Sequence, residues 1–349
     1  MSSLREYVEK LHCSDEAERA YAAEDIGYLN TAEGVPPLVE RLGTEPSRAV
    51  RDAIFQALIR IDADAAIEGS LGLLESEDPQ IRNQAVDVLR HKGAASIPFL
   101  NTVMRDGDKD LRKLVLDVLS GVHASDADGI YAAALADPDL NVVITAVENL
   151  GRMRTPEFRN RIEELLRPDA HPMLIGACME ALVGIGNESS LVAIRRLYPD
   201  LTTLPDFFLV PCLRAIGALG TAGNLVELAC LLAIGAPHLR PAILASLIAI
   251  HQRHPAETHV ETLLPALQAV VEDGDPPLCR YQALRAIGLL APRDDIYGFL
   301  VSCLYSPERL VRLAAAESLR TAEQPRLEAL LAARALQESD EEVLQALLC

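Results

Sequence analysis

A pattern about thirty-one residues long recurs along nearly the whole chain, and no other feature restricts the fold so strongly. It is clearest in Asp78–Gly93, DPQIRNQAVDVLRHKG, with Arg82 taken as the anchor. Equivalent anchors are Arg19, Arg51, Arg112, Val143, Ile175, Leu209, Arg240, Arg280, Arg312 and, in shortened form, Leu344. The steps between neighbouring anchors are nearly constant; the one into Leu209 is slightly widened, and the one from Arg240 to Arg280 is clearly the longest. Position +7 from each of the first ten anchors, Ile26 through Leu319, is always Leu or Ile. Position +3 is usually small, as at Ala22, Ala85, Ala146, Cys178, Cys212, Ala283 and Ala315. Offsets −1, +3, +4 and +7 share one face of a 3.6-residue helix, so each copy predicts an amphipathic helix with a constant buried stripe.

Helix-stop and helix-start chemistry brackets these segments. Asp78-Pro79, Asp275-Pro276 and Ser306-Pro307 place a capping oxygen before a proline. Gly93, Gly186 and Gly220 follow their anchors by eleven residues, where a left-handed stop is expected. A second apolar-periodic segment precedes each anchor helix, for example PPLVERLG, IPFLNTVMR and LVELACLLA. Two helices and two short turns per repeat predict an all-α fold: an α-solenoid of about ten to eleven helical hairpins, forming a single domain over residues 1–349.

Composition agrees with close-packed helices. Half of the residues are hydrophobic but only 4% are aromatic, and tryptophan is absent. The formal net charge of −19 is spread along the chain, with no basic stripe to neutralise phosphates, so no nucleic-acid partner is expected. Seven cysteines without a Cys-x-x-Cys pair suit a reducing cytoplasm. The start, MSSLREYVEK, has no apolar core for a signal peptide, and the greasiest stretch, Leu225 to Ile250, is broken by charges and prolines. No membrane insertion is expected.

The Asp-Pro-x-Val/Ile-Arg-x-x-Ala-x-x-Ala-Leu pattern resembles HEAT repeats, in the short form called phycobilisome-lyase-like. The resemblance implies that the second helix of each hairpin lines a concave surface and that the anchor arginine bridges adjacent repeats. That role is carried to Arg51, Arg82, Arg112, Arg240, Arg280 and Arg312, and cannot pass to Val143, Ile175 or Leu209. It also leaves open a phycobilin lyase-like subunit, acting on a bilin and a phycobiliprotein, or a chaperone.

Catalytic chemistry finds little support. His251, His254 and His259 with Glu257 form the one histidine cluster, but Pro255 interrupts it, and polar residues at a helix C-terminus are its ordinary reading. No His is followed by Glu, so the di-iron pattern of deoxyhypusine hydroxylases, another HEAT-type family, does not fit. Gly217, Gly220 and Gly223 lack the strand and the Lys-Ser/Thr of a phosphate loop. No cofactor, metal or enzymatic activity is expected.

Surface positions remain. Offsets +1, +5 and +8 are expected to oppose the buried stripe and face a groove. At +5, Asp87, Asp117, Glu148 and Glu180 give way to Arg214 and Arg285, while +1 turns apolar at Ile144, Val210 and Tyr281. The widened step before Leu209 holds LTTLPDFFLVP, with Phe207 and Phe208. These residues together predict a protein-binding scaffold or adaptor whose concave face grips a basic or amphipathic segment. Arg90 is expected to be solvent-facing and dispensable.

Overall fold

The computed structural model describes residues 4–122, 127–255, 260–272, 276–289, 294–320 and 325–348. Among the described residues the regular structure is helical throughout, and the chain divides into two compact units, Met1–Met153 and Arg154–Cys349. Each unit is a stack of antiparallel helix pairs.

Among the described residues unit 1 contains five pairs: α1 (Leu4–Lys10) with α2 (Glu16–Leu29), α3 (Val35–Leu42) with α4 (Arg48–Arg60), α5 (Asp64–Leu73) with α6 (Pro79–Lys92), α7 (Ile97–Asp106) with α8 (Lys109–Leu119), and α9 (Asp128–Ala134) with α10 (Leu140–Met153). The described residues of unit 2 form six: α11 (Arg159–Leu165) with α12 (Pro172–Ile185), α13 (Glu188–Leu197) with α14 (Asp206–Leu219), α15 (Leu225–Ile234) with α16 (Arg240–Arg253), α17 (Val260–Glu272) with α18 (Pro277–Leu289), α19 (Asp294–Cys303) with α20 (Arg309–Arg320), and α21 (Pro325–Ala335) with α22 (Glu341–Leu348). Even-numbered helices carry the anchors and pack on one another in sequence within each unit, so they form one layer of the stack.

The repeat's apolar stripe is the core of both units. Ile81, Ala85, Val86 and Leu89 on α6 are buried, and so are Val142, Ala146, Val147 and Leu150 on α10. Removing each such Leu or Ile from water contributes about 1.5–3 kcal/mol. The aliphatic anchors Val143, Ile175 and Leu209 are themselves buried.

Capping follows the sequence in part. Asp78 accepts from the Gln80 N–H at 2.8 Å, with Pro79 in the first turn of α6. Ser306 accepts from the Glu308 N–H at 3.2 Å just before α20; Asp275 lies outside the described residues. The expected left-handed stops at Gly186 and Gly220 are not formed, since both glycines are extended, with φ −78° and −73°. Their N–H groups donate to Leu182 and Ile216 at 2.8 Å, and a Cβ at either glycine would collide with that same carbonyl. Among the described glycines Gly93 alone has a positive φ, 56°.

Position +8 does not face a groove. Gly27, Gly217 and Gly288 are buried against position +6 of the following anchor helix. A Cβ on Gly27 would fall 2.8 Å from Ala57 Cα, and one on Gly217 2.9 Å from Ser246 Cα. Polar side chains at that +6 position tie the same layers together. Asn149 Nδ2 donates to the Leu116 carbonyl at 2.9 Å, Ser246 Oγ to Leu213 at 2.8 Å and Ser318 Oγ to Leu284 at 3.4 Å. Each reaches position +4 of the preceding anchor helix.

Candidate protein-binding surface

The arginine anchors hold the hairpin edges, and they do so in two ways. Arg51 pairs with Asp78 at 3.0 Å, Arg112 with Asp137 at 2.7 Å and Arg312 with Glu338 at 2.9 Å, each acid belonging to the next hairpin. Arg82 instead donates to the carbonyls of Ser76 and Glu77 at 2.6 and 3.1 Å, and Arg280 to Val271 at 2.7 Å, all within the anchor's own hairpin. Among the described residues Arg82 forms no ion pair; the acid in the same register, Asp108, caps α8 through the Asp110 and Leu111 N–H groups. Arg240 is half-buried at the start of α16.

Two carboxylates that the sequence reading missed are the most deeply held. Glu45 accepts from Arg19, Arg41 and the Ser47 N–H. Glu338 accepts from Arg312, Arg334 and the N–H groups of Ser339 and Asp340. Burial raises both carboxyls, but the hydrogen bonds from arginine and backbone outweigh it and hold each at about 2. The signal available in the sequence was an acid at a nearly fixed distance beyond an anchor arginine, as Glu45 follows Arg19, Asp78 follows Arg51, Asp137 follows Arg112 and Glu338 follows Arg312.

Arg90 is not an idle surface residue. Its guanidinium donates to the Asp117 carbonyl at 2.7 and 3.2 Å, satisfying an open C-terminal carbonyl of α8, and pairs with Asp87 at 3.2 Å. Lys92 does the same for α4 through Ile59 and Ile61.

The +5 row differs between the units. In unit 1, Gln56, Asp87, Asp117 and Glu148 are all exposed on consecutive anchor helices, and Ile144 beside Glu148 is half-buried. A hollow of about 740 Å³ opens beside this row, lined by Glu75, Glu77, Arg82, Asp108, Asp110 and Asp117 among others. In unit 1 Asp87 of this row is paired, with Arg90, whereas in unit 2 the corresponding charges pair with one another. Glu180 pairs with Arg214 at 2.9 Å, Arg285 with Glu317 at 3.2 Å, and Tyr281 donates to Glu317 at 2.9 Å.

Phe207 and Phe208 belong to the first turn of α14 rather than to the inserted loop. Phe208 fills the −1 position and packs on Tyr198, with ring centroids 5.2 Å apart, while Phe207 is exposed and meets Phe208 edge-on at 5.0 Å. Val210 is half-buried.

No arrangement resembling a reactive centre emerges from the described residues. Burial pushes the Cys178 thiol up to about 12 and those of Cys212 and Cys303 up to about 11, away from the thiolate form. His251 Nε2 lies 3.1 Å from the Leu289 carbonyl; His254 is half-buried, and Glu257 and His259 lie outside the described residues. Among the described residues no group of three or more His, Cys, Asp or Glu is placed to hold a metal ion, and no helix is long and apolar enough to cross a membrane. Gly217 lies inside α14, and Thr221 with Asn224 forms a capping box beyond Gly220.

Repeated two-helix units whose anchor helices pack successively define the class: this is an α-solenoid repeat protein. Residues 4–69 match the family model of HEAT repeats. Solved structures of the karyopherin Kap121p share the fold. The complex with the extreme C-terminus of the protein phosphatase Cdc14p aligns at a TM-score of 0.60 and 14% identity, covering 99% of this chain and 45% of that one. The complexes with Pho4p and RanGTP align at 0.61 and 0.62, also at 14% identity and over 99% of this chain, covering 45% and 44% of those chains. The chain thus spans less than half of the Kap121p length, and at this identity the likeness is one of fold. No curated protein sequence matches it.

Proposed function

We propose that the protein is a non-catalytic cytoplasmic scaffold whose anchor-helix layer is the concave face and grips a segment of a partner protein. The observation that carries this reading is the row of exposed acids Asp87, Asp117 and Glu148, held in register on three consecutive helices of unit 1. Such a row attracts lysine and arginine side chains and gains most when their solvent is excluded. Kap121p, built on the same fold, is seen with protein segments and with RanGTP bound. The cysteines among the described residues are free thiols, in keeping with a reducing compartment.

Capturing partners on the full chain, identifying them by mass spectrometry and then measuring affinity for the Asp117→Lys, Glu148→Lys double variant tests the reading. The variant is expected to fold normally and to bind about tenfold or more weakly at low salt, the deficit shrinking as salt rises. Unchanged affinity at low salt would place the site elsewhere.

A further inference from the structure

Three anchor helices of unit 2 carry an exposed apolar residue two positions before the anchor. Met173, Phe207 and Leu278 stand there on α12, α14 and α18, and they are 53, 53 and 57% exposed. Unit 1 has Ala49, Gln80, Asp110 and Asn141 at the same offset. Positions −2, +1 and +5 are spaced i, i+3, i+7 and so form one stripe on each helix. The +1 members in unit 2, Gly176, Val210, Pro241, Tyr281 and Leu313, are uncharged and half-buried. Phe207 reaches back over the preceding helix: a Cβ on Gly176 would lie 4.0 Å from its Cζ, so the two rows are continuous there. In the 3-10 turn just before α16 the −2 residue is His238, whose Nε2 is 2.6 Å from Asp206. The stripe's charged edge is already neutralised by Glu180 with Arg214 and Arg285 with Glu317.

We propose that this stripe seats an extended, uncharged segment of the partner that crosses α12 to α18 and presents an aliphatic or aromatic side chain to each of α12, α14 and α18. The proposal rests on the protein-binding reading above and specifies the chemistry of one half of the partner. Charge selects the occupant: a basic segment would find its acids taken by Arg214 and Arg285, whereas an apolar one covers exposed Met, Phe and Leu without breaking an ion pair. Spacing selects its conformation. Packed helices lie about 8–10 Å apart, and a polyproline-II chain, with three residues per turn and about 3.1 Å per residue, repeats a side chain on one face every ~9 Å. One turn of the segment therefore advances one anchor helix. A helical segment would present side chains about every 5–6 Å along its face, out of step with the rows.

Selection from a random peptide display library on the full-length chain tests this directly. Expected winners carry apolar residues at i, i+3 and i+9, one for each of α12, α14 and α18, with few lysines. A fluorescein-labelled winner should bind about tenfold more weakly to Phe207→Ser and to Leu278→Ser, both exposed sites where folding is kept, yet equally well to Asp117→Lys. Winners with i, i+4, i+7 spacing, or affinities untouched by both serine variants, would overturn the inference. If those winners were lost on Asp117→Lys instead, the protein-binding reading would survive without it. A selection that enriches no peptide overturns both.

Discussion

Glu45 and Glu338 are built to one plan. Arg19 and Arg41 converge on Glu45, and Arg312 and Arg334 converge on Glu338 with the same spacing in sequence, near opposite ends of the chain. Both carboxyls sit at about 2 against an ordinary 4.5. A depressed folded-state pKa contributes stability that is fully present above the unfolded value and is lost as pH falls through the folded one. Urea midpoints are therefore expected to drop between about pH 4.5 and about pH 2, with Glu338→Gln showing a lower midpoint at neutral pH and a flatter decline. Superimposable pH profiles for the variant and the parent would remove Glu338 from the account. The anchors divide by the same logic. Arg112→Ala should cost about 1–3 kcal/mol, because the Asp137 carboxylate is left buried without its cation. Arg82→Ala gives up only carbonyl contacts and should cost about 1 kcal/mol or less. Melting temperatures rank the two; an Arg82 variant as damaged as the Arg112 variant would contradict the assignment.

Between elements, the layer is held by a small-residue seam, position +8 of one anchor helix against +6 of the next. Gly288 is its tightest contact, since an added Cβ would overlap Ser318. Gly288→Ala should destabilise by about 1–3 kcal/mol despite alanine's better helix propensity, and Gly288→Ala with Ser318→Gly should recover part of that loss. A neutral single variant in thermal melts would mean that the helices can slide apart. The buried stripe was legible in the sequence because every repeat spends its Leu and Ile at the same offsets. The seam was not, because a glycine has no side chain to mark the face it occupies, and Asn149, Ser246 and Ser318 resemble ordinary polar residues until their acceptor carbonyls are in place. The candidate surface was legible in part for a related reason. Composition marks Asp87, Asp117 and Glu148 as exposed acids, but only coordinates show that Glu180 is spent on Arg214 while Asp117 is not.

At the scale of the molecule, the periodicity passes the boundary between the units without a break. Val143 and Ile175, on either side of it, are spaced just as Arg19 and Arg51 are within unit 1. In a repeat array each hairpin buries its apolar face on its neighbours, so stability is shared along the chain rather than confined to a compact body. We therefore expect residues 1–349 to unfold in urea as one cooperative transition, with circular dichroism and tyrosine fluorescence tracing the same curve. Limited proteolysis should begin near Pro255, within the longest step between anchors, ahead of the turn at Pro205, which Leu201 and Leu204 anchor in the core. Cleavage between Met153 and Arg154 that released two fragments, each with its own sharp transition, would show instead that the two units fold as separate domains.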